Sequence, residues 1–353
     1  MYIIIAILAF GILIGIHEFG HFIVAKAFKV KVNEFAIGMG PALLKKQGKE
    51  TLYSLRLLPI GGYCAMEGED ETSADPRAFT SQPILKRLAV LAAGPAMNFV
   101  AGFLVIVIMF AGAGGFGSNV IAELADGFPN AGEDGLMPGD KIVSINGERV
   151  WYSSDFSSFL NLDGDGFVYL TLQRDGRRIE HKDFPLSPRE YKNPDGSVTV
   201  RYGISFEVLR ASPVVNFKYS CYQAYNFVRL IRISLRDLIR GAVGLKDLSG
   251  PVGIVSTIND VAKESPTRSI AIQNVAYLCA FVAVNLAVMN LLPIPALDGG
   301  RIFLMLVTGV IQLISRKRVD PKYEGYIHTA GLVLLLGLMA FVMVNDVLKV
   351  IHG

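Results

Sequence analysis

Charged residues are scarce in this sequence. Asp, Glu, Lys and Arg make up 18% of the 353 residues, whereas a soluble globular chain carries about 25%. Hydrophobic residues make up 52%, and they are gathered in blocks, which indicates membrane-spanning segments. The net charge is only +3, and no basic tract with interleaved aromatic residues is present. These features argue against a nucleic-acid-binding protein.

Cysteine is also scarce. The three residues of this type, Cys64, Cys221 and Cys279, are scattered and show no paired spacing. They supply neither a disulfide framework nor a cysteine-rich metal site. We expect all three to behave as small hydrophobic side chains.

Four apolar blocks are long enough to cross a bilayer, whose hydrocarbon core of about 30 Å needs roughly 20 helical residues. They lie at about 1–28, 84–113, 271–298 and 327–350. The first is expected to be a retained span rather than a signal peptide, because no A-x-A-like cleavage site follows it and it contains three ionisable residues. A further apolar run at 301–314 is too short to span alone, so residues 299–326 are expected to form an interfacial helix and a loop.

Basic residues predict the orientation of these spans. They concentrate in two segments. The segment between the first and second blocks, with the start of the second, holds Lys29, Lys31, Lys45, Lys46, Lys49, Arg56, Arg77, Lys86 and Arg87, and the short link before the fourth block holds Arg316, Lys317, Arg318 and Lys322. Both segments are therefore expected on the cytoplasmic side of the cell membrane. Both termini and the segment between the second and third blocks are then expected outside.

The segments between the blocks have strand-like patterns. Residues 118–210 alternate as VIAEL, KIVSIN, FVYLTLQ and RRIEHKDF, with turn signals at Asn146-Gly147, Asp163-Gly164 and Asp175-Gly176, and predict an external β-rich domain with a short helix at 154–160. Residues 211–270 are expected to hold an amphipathic helix at 214–245 and a linker. In the cytoplasmic segment 29–83, VNEFAIGMG, TLYSLRLLPI and GGYCAMEG predict three short strand runs.

The first block contains His17-Glu18-Phe19-Gly20-His21, which fits the pattern H-E-x-x-H. On a helix, His17 and His21 lie one turn apart on the same face. Both imidazoles can then bind one zinc ion, with Glu18 placed to activate water. Ionisable residues inside a span are costly and usually functional, although a pair of histidines hydrogen-bonded between helices is the alternative.

Zinc needs a third protein ligand, and Asp298 in Leu297-Asp298-Gly299-Gly300 is the best candidate. It ends the third block in a backbone broken by Pro and Gly, which allows a carboxylate to reach inward. Asp298 could instead, or in addition, cap the helix that follows. His181, His328 and His352 lie in less suitable places.

Further site residues are predicted from two kinds of pattern. Asn98 and Asn290 lie within the second and third blocks, where an amide can bond across helices or stabilise an oxyanion. Gly61 and Gly62, each taken alone, are typical turn glycines, but with the strand pattern Gly61, Gly62 and Tyr63 predict a hairpin edge that could hold an extended substrate by β-addition.

Four motifs, HEFGH, PIGGYCAMEGE, GPAMNF and NLLPIPALDGG, resemble those of the site-2 protease family of intramembrane metalloproteases, in its bacterial branch with an external PDZ domain. The stretch PNAGEDGLMPGDKIVSINGERV is similar to the core of a PDZ domain. The resemblance implies one zinc ion held by His17, His21 and Asp298, with Glu18 as catalytic base and a membrane-reentrant β-hairpin.

The resemblance also implies substrates and a difference from some relatives. It implies single-span membrane proteins, such as anti-sigma factors or remnant signal peptides, that another protease has already shortened. Some members carry two PDZ domains, whereas this chain has room for one. Asn98 and Asn290 are implied to be polar helpers near the zinc.

The sequence therefore predicts a polytopic α-helical membrane protein with four transmembrane helices, a membrane-associated β-hairpin region and an external PDZ-like domain, acting as a zinc protease. A membrane-tethered PDZ scaffold with a structural metal is one alternative, but such a site has no need of Glu18. A zinc or proton transporter is another, but four spans without an internal repeat argue against it. The oligomeric state is not predicted.

Overall fold

The structure, a computed structural model, describes residues 2–69, 73–160, 166–192, 197–244, 250–315 and 321–352. Its helices are α1 (Tyr2–Ala27), α2 (Ile84–Ala111), α3 (Ser153–Leu160), α4 (Pro213–Ile239), α5 (Pro251–Glu264), α6 (Arg268–Asn290), α7 (Asp298–Ser315) and α8 (Pro321–His352). Its strands are β1 (Val32–Gln47), β2 (Leu52–Met66), β3 (Gly115–Leu124), β4 (Lys141–Ile145), β5 (Glu148–Arg149), β6 (Phe167–Arg174), β7 (Arg177–Pro185), β8 (Arg189–Lys192), β9 (Val198–Arg201) and β10 (Ile204–Arg210). The chain forms two compact units, Met1–Met109 with Gln223–Gly353, and Phe110–Tyr222.

Five of the described helices are apolar and long enough to cross a membrane, so the expected number of four is not confirmed. They are Ile7–Ala27, Ile84–Ala111, Arg268–Asn290, Asp298–Ser315 and Gly325–Lys349. The additional helix is α7, because Asp298, Gly299, Gly300 and Arg301 form its first turn, which continues into the apolar run and gives a helix of 18 residues. The chain is a multi-pass membrane protein with a β-rich part. Of the basic link before the last span, Arg316, Lys317 and Arg318 lie outside the described residues.

In the first unit, α1 and α2 approach each other closely at Gly20. A Cβ on this residue would lie 2.4 Å from the carbonyl oxygen of Ala93. Next to this crossing, the ends of α1 and α2 bury a hydrophobic cluster with the sheet and α7, which includes Ala25, Val30, Phe35, Val90 and Met305. The cluster joins the helices to the sheet that follows α1.

The sheet of this unit is built from β1 and β2, which pair antiparallel. Residues 34–37 pair both with 52–55 and with 62–65, so the first half of β1 lies between two parts of β2. The second and third predicted strand runs therefore form one continuous strand. Gly61 allows this because its φ of 91° lies in the left-handed region, where the strand changes direction.

Helix α5 lies in the predicted linker and was not expected from the sequence. Its N-terminus is capped by Asp346 of α8, whose Oδ2 accepts hydrogen bonds from the N–H groups of Gly250 at 2.9 Å and Gly253 at 2.8 Å. Asp346 is 2% exposed. A buried carboxylate in an apolar helix is thus stabilised by the free N–H groups of another helix.

The second unit contains a six-stranded sheet and a separate two-stranded one. The order in the larger sheet is β10-β3-β4-β6-β7, with β5 paired to β4, and β8 pairs with β9. Its core holds Ile121, Ile142, Phe156, Leu170 and Leu172. The predicted helix at 154–160 is α3, and the predicted turn at Asp163-Gly164 lies outside the described residues.

Ion pairs fasten the turn between β1 and β2 to the end of α1. Glu50 accepts hydrogen bonds from Lys26 Nζ at 2.7 Å and from Arg77 at 2.5 Å. The Lys26 ammonium and the Arg77 guanidinium together hold the pKa of Glu50 at about 2, below its usual 4.5. Ionised Glu50 therefore stabilises the fold above pH 4.5, and this contribution is lost as the pH falls toward 2.

We expect Glu50→Gln to lower the free energy of unfolding at pH 7 by about 0.5–1 kcal/mol, and the melting temperature with it. The effect is modest because these ion pairs are partly exposed to solvent. The difference from the wild type should shrink as the pH falls below 4.5. Thermal unfolding of the detergent-solubilised protein across this pH range measures it. Lys49→Gln, an exposed change in the same turn, is the control, and a pH-independent effect of Glu50→Gln would contradict the assignment.

Candidate metal centre and active site

Helix α1 places His17 and His21 one turn apart and inside the protein. The two residues are 9% and 6% exposed. Their Nε2 atoms face each other at 3.2 Å. The H-E-x-x-H pattern thus gives two imidazole nitrogens that point at one position, as the sequence predicts.

Asp298 reaches the same position from the other side. Its Oδ2 lies 3.1 Å from His17 Nε2 and 3.4 Å from His21 Nε2. It is the first residue of α7 and follows a non-helical stretch, in which Ala296 adopts a φ of 77°. This left-handed conformation costs a non-glycine residue roughly 1–2 kcal/mol and is held by its surroundings. The Ala296 N–H, for example, donates to His328 Nδ1 at 3.3 Å.

The donor set fits a zinc ion. Two nitrogens and one carboxylate oxygen lie 3.1–3.4 Å apart. Tetrahedral zinc with bonds of about 2.0–2.2 Å separates its ligand atoms by roughly 3.3–3.6 Å. In addition, His21 Nδ1 lies 2.8 Å from the carbonyl oxygen of Val90 and donates its proton there, which leaves the Nε2 lone pair for a metal.

Gly94 leaves the space that such an ion needs. A Cβ on this residue would lie 2.3 Å from His21 Nε2 and 2.8 Å from His17 Nε2. Any other side chain would therefore fill the volume in front of the two imidazoles. The glycine of the GPAMNF motif is explained by this geometry.

A cavity of about 490 Å³ opens from the metal-ligand cluster. Glu18, Asn290 and Tyr63 line it together with His17, His21 and Asp298. Gly62 approaches Glu18 closely, because a Cβ on Gly62 would lie 3.4 Å from Glu18 Cγ. The structure thus brings the H-E-x-x-H helix, the third ligand candidate and the edge of β2 to one cavity.

Asn98 does not line this cavity. It lies behind His17, with its side-chain amide 3.4 Å from His17 Nδ1, and it is 1% exposed. A position on the far side of the imidazole does not suit direct contact with a substrate. Of the two asparagines predicted from the sequence, only Asn290 can reach the cavity.

Three residues at the cavity were missed from the sequence. Glu69 forms an ion pair with Arg301, which links the segment after β2 to the first turn of α7. Cys64, which we expected to be a bystander, also lines the cavity. Glu69 and Cys64 lie in or beside the PIGGYCAMEGE motif and Arg301 directly follows LDGG, so closeness to these motifs is the signal that could have found them.

Comparison with known proteins places this geometry in a family. The sequence model of peptidase family M50 matches residues 5–338, nearly the whole chain. The chain belongs to peptidase family M50. The H-E-x-x-H helix and the Leu-Asp-Gly-Gly turn of this M50 peptidase both lie within the matched region.

Individual relatives of this M50 peptidase have names that agree. A Clostridium acetobutylicum protein, named as a candidate zinc metalloprotease, is 38% identical over 99% of this chain and 98% of its own length. The regulator of sigma-W protease RasP of Bacillus subtilis is 28% identical over 97% of both chains, as is the zinc metalloprotease RasP of Bacillus licheniformis. This M50 peptidase is accordingly a zinc metalloprotease with zinc as its cofactor.

Gly94→Ala should reduce bound zinc to less than a tenth of the wild-type content, because the new methyl group overlaps the imidazole nitrogens. Metal analysis after purification measures this change. Gly15→Ala is the matched control, since a Cβ on this glycine of α1 meets nothing within 4 Å. Full zinc content in Gly94→Ala would show that the metal does not lie in front of these histidines.

Proposed function

We propose that this chain is a zinc-dependent endopeptidase that hydrolyses peptide bonds in or near the transmembrane segment of single-span membrane proteins. The observation that carries the proposal is a single cavity that His17, Glu18, His21 and Asp298 all line. These four side chains belong to the apolar helices α1 and α7. His17, His21 and Asp298 would hold a single zinc ion. Ionisable groups at membrane depth are costly, and a catalytic use accounts for them.

The residues of the cavity can carry out hydrolysis. When bound, zinc lowers the pKa of a water molecule and polarises the carbonyl group of the scissile peptide. Glu18 follows a ligand on α1 and lines the cavity, so its carboxylate accepts the proton of water. The hydroxyl group of water joins the carbonyl carbon, the C–N bond breaks, and Glu18 passes the proton to the leaving nitrogen. Asn290 can donate an amide hydrogen bond to the oxygen on which negative charge develops.

A substrate helix must unwind before its peptide bonds are accessible, because each amide is paired within the helix. Segment 62–66 of β2 can hold the unwound chain. It pairs with β1 on one side, and four of its residues line the same cavity as Glu18. Within the described residues no strand pairs with the other side of this segment. This open edge supports β-addition of the substrate, which would contact Gly62 and Tyr63 in the segment and Gly61 directly before it.

We propose that four helices span the membrane and that α7 does not cross it completely. Asp298, the first residue of α7, lies beside His17 and His21, which are more than halfway along α1. From there α7 runs past Ala25 and Val30, where Met305 joins their cluster. A helix that begins within the membrane and leaves on one side fits the predicted orientation, with both termini outside and the active site near the cytoplasmic face.

The remaining parts of the proposal concern partners. The β-rich Phe110–Tyr222 unit would be a PDZ-like domain, which is supported by the stretch PNAGEDGLMPGDKIVSINGERV at 129–150, whose end forms β4 and β5. Placed outside the membrane, it would select substrates by the size of their external part. The name of the Bacillus subtilis relative, regulator of sigma-W protease, supports an anti-sigma factor as substrate. The proposal also includes remnant signal peptides, and substrates that another protease has already shortened. A transporter or a scaffold would not require Glu18 at the cavity.

Glu18→Gln should retain zinc and fold but lower cleavage of a model single-span substrate by about 10²–10⁴-fold, since the amide cannot accept a proton. Cleavage is followed by gel analysis of purified protein in detergent, with metal content measured in parallel. Asp298→Ala is the contrasting variant, because it should lose zinc as well as activity. Cleavage by Glu18→Gln at more than a few per cent of the wild-type rate would refute the assignment of the base.

Tyr63→Pro should lower cleavage far more than Tyr63→Ala, because proline removes a backbone donor and fixes φ in the strand that would pair with the substrate. Zinc content should be unchanged in both variants. A Pro or Gly near the scissile bond of the substrate should partly restore cleavage by Tyr63→Pro, because it lowers the cost of unwinding.

A structural role for this segment has a different signature. If it only shields the site, activity should follow thermal stability in the two Tyr63 variants. Helix-breaking residues in the substrate should then help wild type and variants equally. Equal stimulation on paired substrates with and without the helix breaker would remove the strand-addition proposal.

A further inference from the structure

Asn98 is a buried amide with one described hydrogen-bond partner. It lies in the apolar helix α2 and is 1% exposed. Its Nδ2 atom faces His17 Nδ1 at 3.4 Å, and its Oδ1 atom is buried and has no hydrogen-bond partner in the described part of the chain. An amide in such a place costs free energy unless it does something for its neighbour. The neighbour is the imidazole of His17.

The protonation of His17 decides what this amide must do. His17 Nε2 faces His21 Nε2 at 3.2 Å and Asp298 Oδ2 at 3.1 Å, so it is the nitrogen that a metal would take. A metal-binding nitrogen carries no proton, so the ring proton of the neutral imidazole lies on Nδ1. The atom opposite Nδ1 must then be a hydrogen-bond acceptor.

The amide of Asn98 can present that acceptor. Its oxygen and nitrogen ends have nearly the same shape, and a turn of 180° about the last side-chain bond exchanges them. Either orientation leaves one end without a partner, so burial alone does not choose between them. With Nδ2 opposite Nδ1, the imidazole would carry its proton on Nε2 and could not bind a metal. With Oδ1 opposite Nδ1, it can.

The second histidine shows the same arrangement. His21 Nδ1 lies 2.8 Å from the backbone carbonyl oxygen of Val90, also in α2. Val90 and Asn98 are eight residues apart, slightly more than two helical turns, so α2 places a polar group of its own behind each imidazole. Backbone supplies the oxygen for His21, and a side chain must supply it for His17.

We propose that Asn98 is a positioning residue that accepts the Nδ1–H of His17, so that the Nε2 lone pair is directed at the zinc. This inference rests on the proposed metal centre. It places Asn98 behind a ligand, where it sets the tautomer and the orientation of the ring, and it assigns no contact with substrate. Loss of such an outer hydrogen bond typically weakens metal binding by about 10–100-fold.

The test compares three variants of the full-length protein by zinc dissociation constant, measured in competition with a chelator of known affinity. Asn98→Leu and Asn98→Ala should each bind zinc about 10–100-fold more weakly than the wild type. Asn98→Asp keeps an acceptor at the same place. Its zinc dissociation constant should be no more than about threefold above that of the wild type, since the outer hydrogen bond is retained. In the cobalt-substituted protein, the visible absorption spectrum should change in Asn98→Leu and not in Asn98→Asp.

Two controls separate positioning from general damage. Asn290→Leu changes another amide that lines the cavity, one for which the described residues show no hydrogen bond to His17, and it should keep the wild-type dissociation constant while it lowers cleavage. The metal-free forms of wild type, Asn98→Leu and Asn98→Asp should melt at similar temperatures, with the difference between them appearing only when zinc is added.

The outcomes distinguish the two levels of the argument. A wild type that binds no zinc against the chelator would overturn the metal centre itself. Wild-type affinity in Asn98→Leu and Asn98→Ala would overturn the role of Asn98 alone. An Asn98→Asp variant as weak as Asn98→Leu would show that the amide donates rather than accepts, which also contradicts the proposal.

Discussion

Every polar group that lies among apolar helices needs a partner, and this requirement organises the membrane part of the structure. In hydrocarbon there is no water to satisfy a free donor, acceptor or charge. The side chains of His17, His21 and Asp298 therefore face one another and a polar cavity instead of lipid. Asp346 meets the same need differently, by accepting the free N–H groups at the start of α5. One group serves chemistry and the other holds two helices together.

Close contact between backbones makes this organisation possible. Gly20 allows α1 to approach Ala93 of α2, and Gly94 one residue later leaves room in front of the imidazoles. The same approach brings the Val90 carbonyl within 2.8 Å of His21. Gly299 plays a similar part after the third block, since a Cβ there would lie 2.2 Å from the backbone of Leu291. Small residues thus set the distance between helices, and that distance sets the geometry of the ligands.

The metal centre could be predicted from the sequence because its parts follow local rules. H-E-x-x-H on a helix places two imidazoles on one face, whatever surrounds the helix. The Pro- and Gly-broken end of the third block left a carboxylate free to turn inward, which pointed to Asp298. The roles of these side chains as ligands and base stay predictions, but the structure brings them to one cavity.

Other features escaped prediction because they depend on contacts between distant residues. The additional apolar helix α7 was underestimated because its first turn consists of Asp, Gly and Arg residues, which hydropathy alone assigns to a loop. Helix α5 has a moderate apolar content, and its N-terminus is satisfied by a carboxylate 93 residues away. Asn98 was expected either to bond across helices or to stabilise an oxyanion, and the family resemblance implied a polar helper near the zinc. Its distance to His17 Nδ1 shows that it lies on the other side of the imidazole.

The sequence by itself determined that the chain enters a membrane, which residues can bind zinc and which one can act as base. Those properties depend on hydropathy over some 20 residues and on side-chain spacing along single helices. Only the tertiary structure decided which asparagine faces the cavity, which strand edge lies open beside Glu18, and what stands behind each imidazole. These features depend on how α1, α2, α6, α7 and the sheet pack together. The spacing of residues along the chain does not predict which backbones come within a few ångströms of each other.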